Sequence, residues 1–299
     1  MVVYRKLSDN ERIGFYLGYE LLNSDKPRGK EKEKMKSYKW LNENDNVNEN
    51  ERKNYKEEFK KLVDKTNNRD MIFYLVAGDI QHKEGKYTIV KNRWRGNLNS
   101  VIIRCMNYEK HWGEVYKKQM DIPYERKIEK IYWRGDASGG RRWTERVANR
   151  YDLVKRWCNR NSEIDIGFSH IKNVELEPYL KGVSKIETFL KHKYIISVEG
   201  NDKDTGLNWK LNSNSLVMMP RPRVTSWLME TTLIPDYHYI IIKDDYSDLE
   251  ERFEYCKKNP QKCKEIIRNA NNFMSQFKDV AKEEQIEMDV INIYFSLVN

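Results

Sequence analysis

Residue types suited to phosphate binding are concentrated in the segment IYWRGDASGGRRWTERVANR, at positions 131–150. Glycine lets the backbone approach an anion closely, a helix N-terminus offers unpaired N–H groups, and arginine supplies paired donors. The segment lacks the Gly-Lys-Ser/Thr ending of a Walker A sequence and the spacing of G-x-G-x-x-G. We interpret it as a diphosphate-binding loop, with a basic surface loop as the alternative. The candidate ligands are Arg134, Gly135, Ser138, Gly139, Arg141 and Arg142.

A second polar loop follows the apolar run that ends at Val198. It begins at Gly200 and carries the triplet Asp202-Lys203-Asp204. Two carboxylates at this spacing can hold a Mn²⁺ or Mg²⁺ ion that also grips a diphosphate. A turn or a helix cap is the simpler interpretation. A divalent metal is therefore compatible with this sequence but not expected, and we assign no metal ligand.

Two further carboxylates stand beside predicted strands. Asp79 follows the run FYLVAG and could act as a general base if burial raised its pKa toward neutrality; a turn or helix N-cap is the alternative. Glu230 precedes another predicted strand and could accept both hydroxyls of a ribose, with Trp227 or Tyr237 stacking on a base. An exposed helical glutamate is the alternative there.

Each of these candidate residues stands beside a predicted strand, so the fold class decides where they lie. Several apolar runs are continuous rather than alternating, which is typical of parallel strands buried on both faces. Helix-like segments separate the runs, so the pattern predicts an α/β protein whose ligands bind beyond the carboxyl ends of the strands. The predicted strands are 71–77, 87–90, 101–105, 130–133, 164–168, 194–198, 215–219 and 237–242.

The same pattern predicts the domain organisation. We expect two Rossmann-like domains facing a central cleft, the first at residues 1–127 and the second at residues 128–278. The last stretch, 279–299, has apolar residues at helical spacing. We expect it to form a C-terminal helix that packs back on the first domain.

Composition narrows the function classes. A chain of 299 residues that is 39% apolar and 12% aromatic is typical of a folded protein rather than a disordered one. Lys and Arg outnumber Asp and Glu by 55 to 46, which favours an anionic partner. Acids are interleaved with bases throughout, so we expect a phosphorylated small molecule rather than nucleic acid.

Localisation can also be predicted. No apolar run is long enough to span a bilayer, and the N-terminus does not resemble a signal peptide. The four cysteines lack zinc-binding spacing. We therefore expect a cytoplasmic enzyme with reduced thiols and no transmembrane segment.

Three segments, 111–139, 191–218 and 226–251, resemble glycosyltransferase family 90. That family includes fungal capsule-associated proteins, Rumi-type protein O-glucosyl/xylosyltransferases and bacterial lipopolysaccharide-modifying transferases. The resemblance implies a GT-B fold with an N-terminal acceptor-binding domain and a C-terminal UDP-sugar-binding domain. It also implies an inverting reaction.

The resemblance carries site residues over to this sequence. Asp79 matches the family's base, and Arg146 or Arg150 matches an arginine beyond the phosphate loop. A donor-binding helix matches residues 207–213, but Rumi-type members place an arginine directly before it, where this chain has Gly206. The positive charge that this arginine would place beside the diphosphate must then come from Arg141, Arg142, Lys203 or a metal on Asp202 and Asp204. The resemblance and the residue types taken together give these predicted donor-binding residues, besides Gly139, Arg141 and Arg142: Arg134, Gly135, Ser138, Arg146, Gly200, Asp204, Leu207, Asn208 and Glu230.

The sequence thus predicts an inverting glycosyltransferase that uses UDP-xylose or UDP-glucose. The acceptor is expected to be a hydroxyl of a glycan or of a lipid-linked saccharide. A basic nucleic-acid-binding protein and a non-catalytic scaffold that binds nucleotide-sugars are the alternatives.

Overall fold

A computed structural model of the chain describes residues 4–42, 49–76, 78, 85–104, 109–116, 121–138 and 148–299. The strands are β1 (Lys36–Ser37), β2 (Ile72–Leu75), β3 (Thr88–Val90), β4 (Asn92–Trp94), β5 (Val101–Ile102), β6 (Ile128–Asp136), β7 (Ile164–His170), β8 (His192–Ile196), β9 (Leu216–Met219), β10 (Val224–Ser226) and β11 (Ile240–Ile241). The α-helices are α1 (Asp9–Leu17), α2 (Tyr19–Leu22), α3 (Lys30–Glu33), α4 (Glu49–Asp64), α5 (Glu114–Tyr116), α6 (Arg150–Trp157), α7 (Ile186–Leu190), α8 (Leu207–Leu211), α9 (Leu249–Lys258), α10 (Pro260–Ser275) and α11 (Val280–Val298). Short 3-10 or π turns lie at Tyr38–Asn42, Glu109–Gly113, Tyr124–Arg126, Val174–Tyr179 and Glu230–Thr232.

The chain forms two compact units. Unit 1 comprises residues 1–111, 224–230 and 276–299, and unit 2 comprises residues 112–223 and 231–275. The segment 224–230 lies outside the predicted first domain in sequence but belongs to unit 1. The reason is that β10 pairs with β4 in an antiparallel ribbon and so draws this segment to the first unit.

Unit 1 is built on a four-stranded sheet of order β1-β2-β3-β5. Its last three strands are parallel and β1 is antiparallel to β2. Phe73 of β2 contacts Phe59 of α4 and Phe295 of α11 edge-on, with ring centroids 5.0 and 6.5 Å apart. α11 also packs on α1, so the C-terminal helix completes the core of this unit.

A buried polar network lies beneath this helix packing. Arg12 and Glu283 form an ion pair of 2.6 Å with side chains that are 1% and 0% exposed. Trp227 donates its indole N–H to Glu283 at 2.6 Å and stacks on Tyr16 with the ring centroids 3.8 Å apart. Each buried charge is therefore paired and hydrogen-bonded, as burial requires.

Unit 2 contains a five-stranded parallel sheet of order β11-β9-β8-β6-β7. Alternate residues of β6 enter two different cores. Ile131 and Trp133 join one hydrophobic cluster, and Tyr132 joins another on the opposite face with Phe189 and Trp209. Because both faces are covered, the strand sequence is apolar at successive positions.

The predicted α/β class with parallel strands is confirmed. Each apolar run predicted as a strand coincides with one, at least in part. The strands that sequence reasoning missed are β1, β4 and β10, which are two or three residues long and mostly polar. Within the described ranges, no helix is both long enough and apolar enough to cross a bilayer.

Candidate functional site

The carboxyl ends of β6 and β8 lie side by side in unit 2, because the two strands are parallel neighbours. β6 delivers Arg134, Gly135 and the turn that reaches Ser138, and β8 delivers the loop 197–206. The two polar segments singled out in the sequence therefore belong to the same edge of one sheet. Ligands of α/β proteins bind at such edges.

Arg134 is held within the sheet. Its guanidinium donates to the Asp165 carboxylate at 2.6 Å and to the Asp165 carbonyl oxygen at 2.9 Å, on the neighbouring strand β7. It also lies over the Tyr132 ring, 4.6 Å from the centroid, and its side chain is 8% exposed. Both terminal nitrogens of Arg134 are thus occupied, and a phosphate would have to compete with Asp165 for them.

The pairing of β6 with β7 shifts register just after Arg134, between Gly135 and Asp136. A Cβ atom on Gly135 would stand 2.5 Å from the Trp133 ring, so only glycine fits over that indole. Asp136 then accepts a hydrogen bond of 2.6 Å from the Ser138 backbone N–H and thereby fixes the start of the loop. Gly139, Arg141, Arg142 and Arg146 follow Ser138 but lie outside the described residues.

Arg150 connects the two strand ends. It opens α6, whose N-cap Asn149 accepts from the Asp152 N–H, and its Nη1 donates to the Asp136 carbonyl oxygen at 3.1 Å. The guanidinium passes directly over Gly200: a Cβ atom there would lie 2.6 Å from Nη2. Within the described part of the chain, Nε of Arg150 is buried and has no hydrogen-bond partner. An uncommitted guanidinium nitrogen at a strand edge is suited to an oxyanion.

The charge of Arg150 is set by its surroundings. Burial lowers the pKa of Arg150, and the nearby carboxylates of Asp204, Asp136 and Asp202 act in the opposite direction. Arginine stays protonated at neutral pH through perturbations of this kind. Arg150 is therefore a fixed cation at this edge, held by a neutral carbonyl.

Asp204 closes the loop after β8. Its carboxylate accepts from the Ser197 hydroxyl and the Lys210 ammonium, each at 2.6 Å, and from the Gly206 N–H at 2.9 Å. Burial by itself would raise the pKa of Asp204, but the Lys210 ammonium and these hydrogen bonds outweigh it, so the pKa lies below its ordinary value. Asp204 is an ionised carboxylate with a structural role, and a metal ion would have to displace Lys210 from it.

The triplet thus does not present two open carboxylates. Across the described ranges, no group of three or more His, Cys, Asp and Glu side chains is placed to hold a metal ion. Lys203 is buried and donates to the Asn208 side-chain oxygen at 3.0 Å. Leu207 and Asn208 are buried as well, and the Asn208 amide nitrogen makes no hydrogen bond to any described residue.

Glu199 and Arg223 join the loops that follow β8 and β9. The Glu199 carboxylate accepts from the Arg223 N–H at 2.7 Å and faces its Nε at 3.4 Å. The Arg223 side chain is 25% exposed. This pair holds a second cation near the edge formed by the two strands.

Glu230 belongs to unit 1, where it stabilises the turn after β10. Its two carboxylate oxygens accept from the Ser226 N–H at 2.6 Å and from the Ser226 hydroxyl at 2.7 Å. Glu230 is 1% exposed, which corrects the alternative of an exposed helical residue. Trp227 is also buried, and its stacking partner is Tyr16.

Comparison with known proteins identifies the family. The family model for glycosyl transferase family 90 matches residues 92–298. The chain belongs to glycosyltransferase family 90.

Relatives of this chain include two named O-glucosyltransferases. O-glucosyltransferase LpsA of Dichelobacter nodosus is 31% identical over 204 residues, which are 68% of this chain and 60% of that protein. Protein O-glucosyltransferase 2 of Danio rerio is 27% identical over 182 residues, 59% of this chain and 33% of that protein. Uncharacterized protein 179R of Invertebrate iridescent virus 6 is 26% identical over 132 residues, 42% of this chain and 11% of that protein. The match spans at most 60% of the length of these relatives.

Within this family-90 chain, the structure brings together part of the predicted site. Gly135, near the end of β6, and Ser138, Gly200 and Asp204, on the loops that follow β6 and β8, lie at the joint edge of these two strands. Glu230 is placed in the other unit, and Arg134 is engaged with β7. Asp79 lies outside the described residues, four positions after the end of β2 at Leu75.

Sequence reasoning assigned no role to the structural partners Ser197, Lys210 and Glu199. Lys210 follows Asp204 by six positions, across a loop and one helical turn, so no fixed sequence spacing announces the pair. The family resemblance offers Arg150 only as an alternative to Arg146. The signal that could have selected it is Asn149, a helix N-cap residue that puts Arg150 in the first turn of α6.

Proposed function

We propose that this chain is an inverting glycosyltransferase that moves a sugar from a UDP-sugar to a hydroxyl group of a glycan or lipid-linked saccharide. Family membership supports the reaction class. Glucose is the first donor sugar to test, because two matched relatives carry the name O-glucosyltransferase. Xylose is the second, since it differs from glucose by one hydroxymethyl group.

The observation that carries the proposal is Arg150 over Gly200, at the joint carboxyl edge of β6 and β8. A diphosphate at this edge would meet a buried guanidinium that is hydrogen-bonded only to a neutral carbonyl among the described residues. Such a donor stabilises negative charge more strongly than an exposed one, because water screens it less. In the sequence, Arg141, Arg142 and Arg146 stand between Ser138 and Arg150 and add three positive charges to this segment.

The proposed chemistry is a single displacement at the anomeric carbon. Asp79 removes the proton from the acceptor hydroxyl, whose oxygen attacks from the face opposite the diphosphate and inverts the configuration. The bond to the leaving oxygen breaks, and Arg150 stabilises the charge that develops on UDP. The GT-B arrangement belongs to this proposal, with the first domain supplying the base and the second holding the donor.

A metal is not needed for this scheme. Asp204, the carboxylate best placed at the edge, is already neutralised by Lys210 at 2.6 Å. We propose that arginine rather than a divalent cation offsets the diphosphate charge. Transfer that persists in a chelator and is not raised by Mn²⁺ is the expected result.

The test measures UDP binding by calorimetry and hydrolysis of UDP-glucose and UDP-xylose, in the wild type and in Arg150→Gln. We expect the variant to bind UDP at least about tenfold more weakly, the loss of one charge-assisted hydrogen bond. Arg156→Gln is the matched control, because Arg156 is exposed on the same helix. Absence of binding and hydrolysis with every UDP-sugar in the wild type would refute the proposed function.

Nucleic-acid binding remains the second class predicted from charge, and the same preparation tests it. Tight binding to DNA or RNA that weakens steeply with salt would favour it. UDP binding without any turnover or hydrolysis would favour the scaffold alternative.

A further inference from the structure

Unit 1 contains a cavity of about 330 Å³ whose lining residues have no role in the chemistry proposed above. It is lined by residues of α4 and α11 together with Arg104 and Glu109, and we call it the α4–α11 cavity. Its lining residues are Glu58, Lys61, Leu62, Lys65, Arg104, Glu109, Glu284 and Glu287. Its volume is at the lower end of the range for small-molecule sites, about 300–1,000 Å³.

Helix geometry explains why these side chains share one wall. The four residues of α4 are separated by three, four and seven positions, which places them on a single helix face. Glu284 and Glu287 are three positions apart on α11 and share a face in the same way. Leu62 is 5% exposed and gives the cavity one apolar surface.

The charges of the lining nearly cancel. The lining has four carboxylates and three cationic side chains. Two ion pairs among them differ in how far they are buried. Arg104 and Glu287 lie 3.6 Å apart with side chains that are both 4% exposed, so they form the floor. Lys65 and Glu284 are also 3.6 Å apart but are 56% and 49% exposed, which places them at the rim.

This charge balance selects against ions. An anion entering the cavity would meet four carboxylates and a cation would meet three positive groups, so neither gains much net attraction. A neutral ligand with many hydroxyl groups suits the lining better. Each hydroxyl donates one hydrogen bond and accepts two, so it can use both the carboxylates and the ammonium or guanidinium groups.

We propose that the α4–α11 cavity is a saccharide-binding subsite for a neutral sugar residue of the acceptor, other than the residue that receives the transferred sugar. The inference rests on the proposed function, which supplies a glycan acceptor. The apolar surface of Leu62 contacts the C–H face of the ring, and the charged lining holds the hydroxyls. The ligand class is a neutral mono- or disaccharide unit.

The test uses the full chain without any nucleotide. Methyl glycosides of glucose, galactose, mannose and xylose, together with lactose and maltose, are titrated and followed by ligand-observed NMR. Glu58→Gln combined with Glu284→Gln replaces one carboxylate oxygen of each side chain by an NH2 donor and removes two negative charges, without filling the cavity. Glu57→Gln is the matched control, because Glu57 is an exposed neighbour on α4 that does not line the cavity.

We expect at least one saccharide to bind the wild type and Glu57→Gln equally, and to bind the double variant about tenfold more weakly. Circular dichroism confirms that the variants fold. Absence of saccharide binding, equal binding by the double variant, or binding of inorganic phosphate in place of the sugars would each overturn the inference. UDP binding and donor hydrolysis are measured separately, so a failure of the subsite is distinguishable from a failure of the proposed function.

Discussion

Replacing Gly200 by alanine tests the Arg150 geometry without touching Arg150 itself. The new methyl group would lie 2.6 Å from Nη2 and 3.1 Å from Cζ of that guanidinium. An ordinary contact begins at 3.4 Å, so the guanidinium must retreat by about 0.8 Å from its position over the loop. A displacement of this size also strains its hydrogen bond to the Asp136 carbonyl oxygen.

The expected magnitude follows from the contact that is lost. A hydrogen bond to a charged group contributes about 1.5–3 kcal/mol, so UDP affinity should fall roughly 10- to 100-fold. Turnover should fall as well, because misplacement of a positioning group by about 1 Å can cost about 100-fold in rate. Isothermal calorimetry gives the affinity, and release of UDP from UDP-glucose gives the turnover.

The control is Gly14→Ala on α1, where an added Cβ meets no atom within 4 Å. This variant should bind UDP like the wild type. Both proteins are compared by thermal unfolding, so that a loss of fold is not mistaken for a loss of binding. Wild-type UDP affinity in Gly200→Ala would refute the reasoning, because the proposed phosphate ligand cannot stay in place beside that methyl group.

Three further substitutions give distinct results. Asp79→Asn should lower kcat for transfer about 10²- to 10⁴-fold while UDP affinity stays unchanged. Normal turnover in this variant would show that Asp79 is not the base, and Asp70→Asn is the control. Lys210→Met should lower the free energy of unfolding at pH 7 by about 3–5 kcal/mol in urea titrations, because it leaves Asp204 buried without its cation. The pKa of Asp204 is lower in the folded protein than its ordinary value of 3.8. Its ionised form therefore stabilises the wild type above pH 3.8, and this stabilisation is lost as the pH falls through the lower folded pKa. The Lys210→Met variant should not show this loss. Trp227→Phe keeps an aromatic ring against Tyr16 but removes the N–H donor to Glu283, so urea unfolding should show a loss of about 1–3 kcal/mol; an unchanged midpoint would contradict the role of that hydrogen bond.

The strand pattern was readable because each apolar run is buried on both faces of a sheet. β9, for example, is buried at all four positions, and the sequence LVMM shows this directly. The two-residue strand β1 and the ribbon of β4 with β10 were not readable, since their sequences KS, NRW and VTS have no apolar run. They are strands because of partners that are distant along the chain.

The site shows the same limit. Glycine, arginine and acidic residues after β6 and β8 indicated the edge of the sheet where the candidate site lies, because the chain places polar loops where buried strands end. The sequence did not assign Arg134 to Asp165, which follows it by 31 positions and reaches it only through the pairing of β6 with β7. It also could not show that Glu230 is satisfied by Ser226 inside unit 1.

Residue order alone determined the α/β class, the parallel strands and the two polar loops, because burial on both faces leaves a continuous apolar signal and glycine with arginine marks an anion-seeking turn. Tertiary structure decided which charges are already neutralised. Asp204 is committed to Lys210 and Arg134 to Asp165, whereas Arg150 is held by a carbonyl over Gly200. Charge pairing depends on distances of a few ångströms between residues on different strands, and only the folded chain sets those distances.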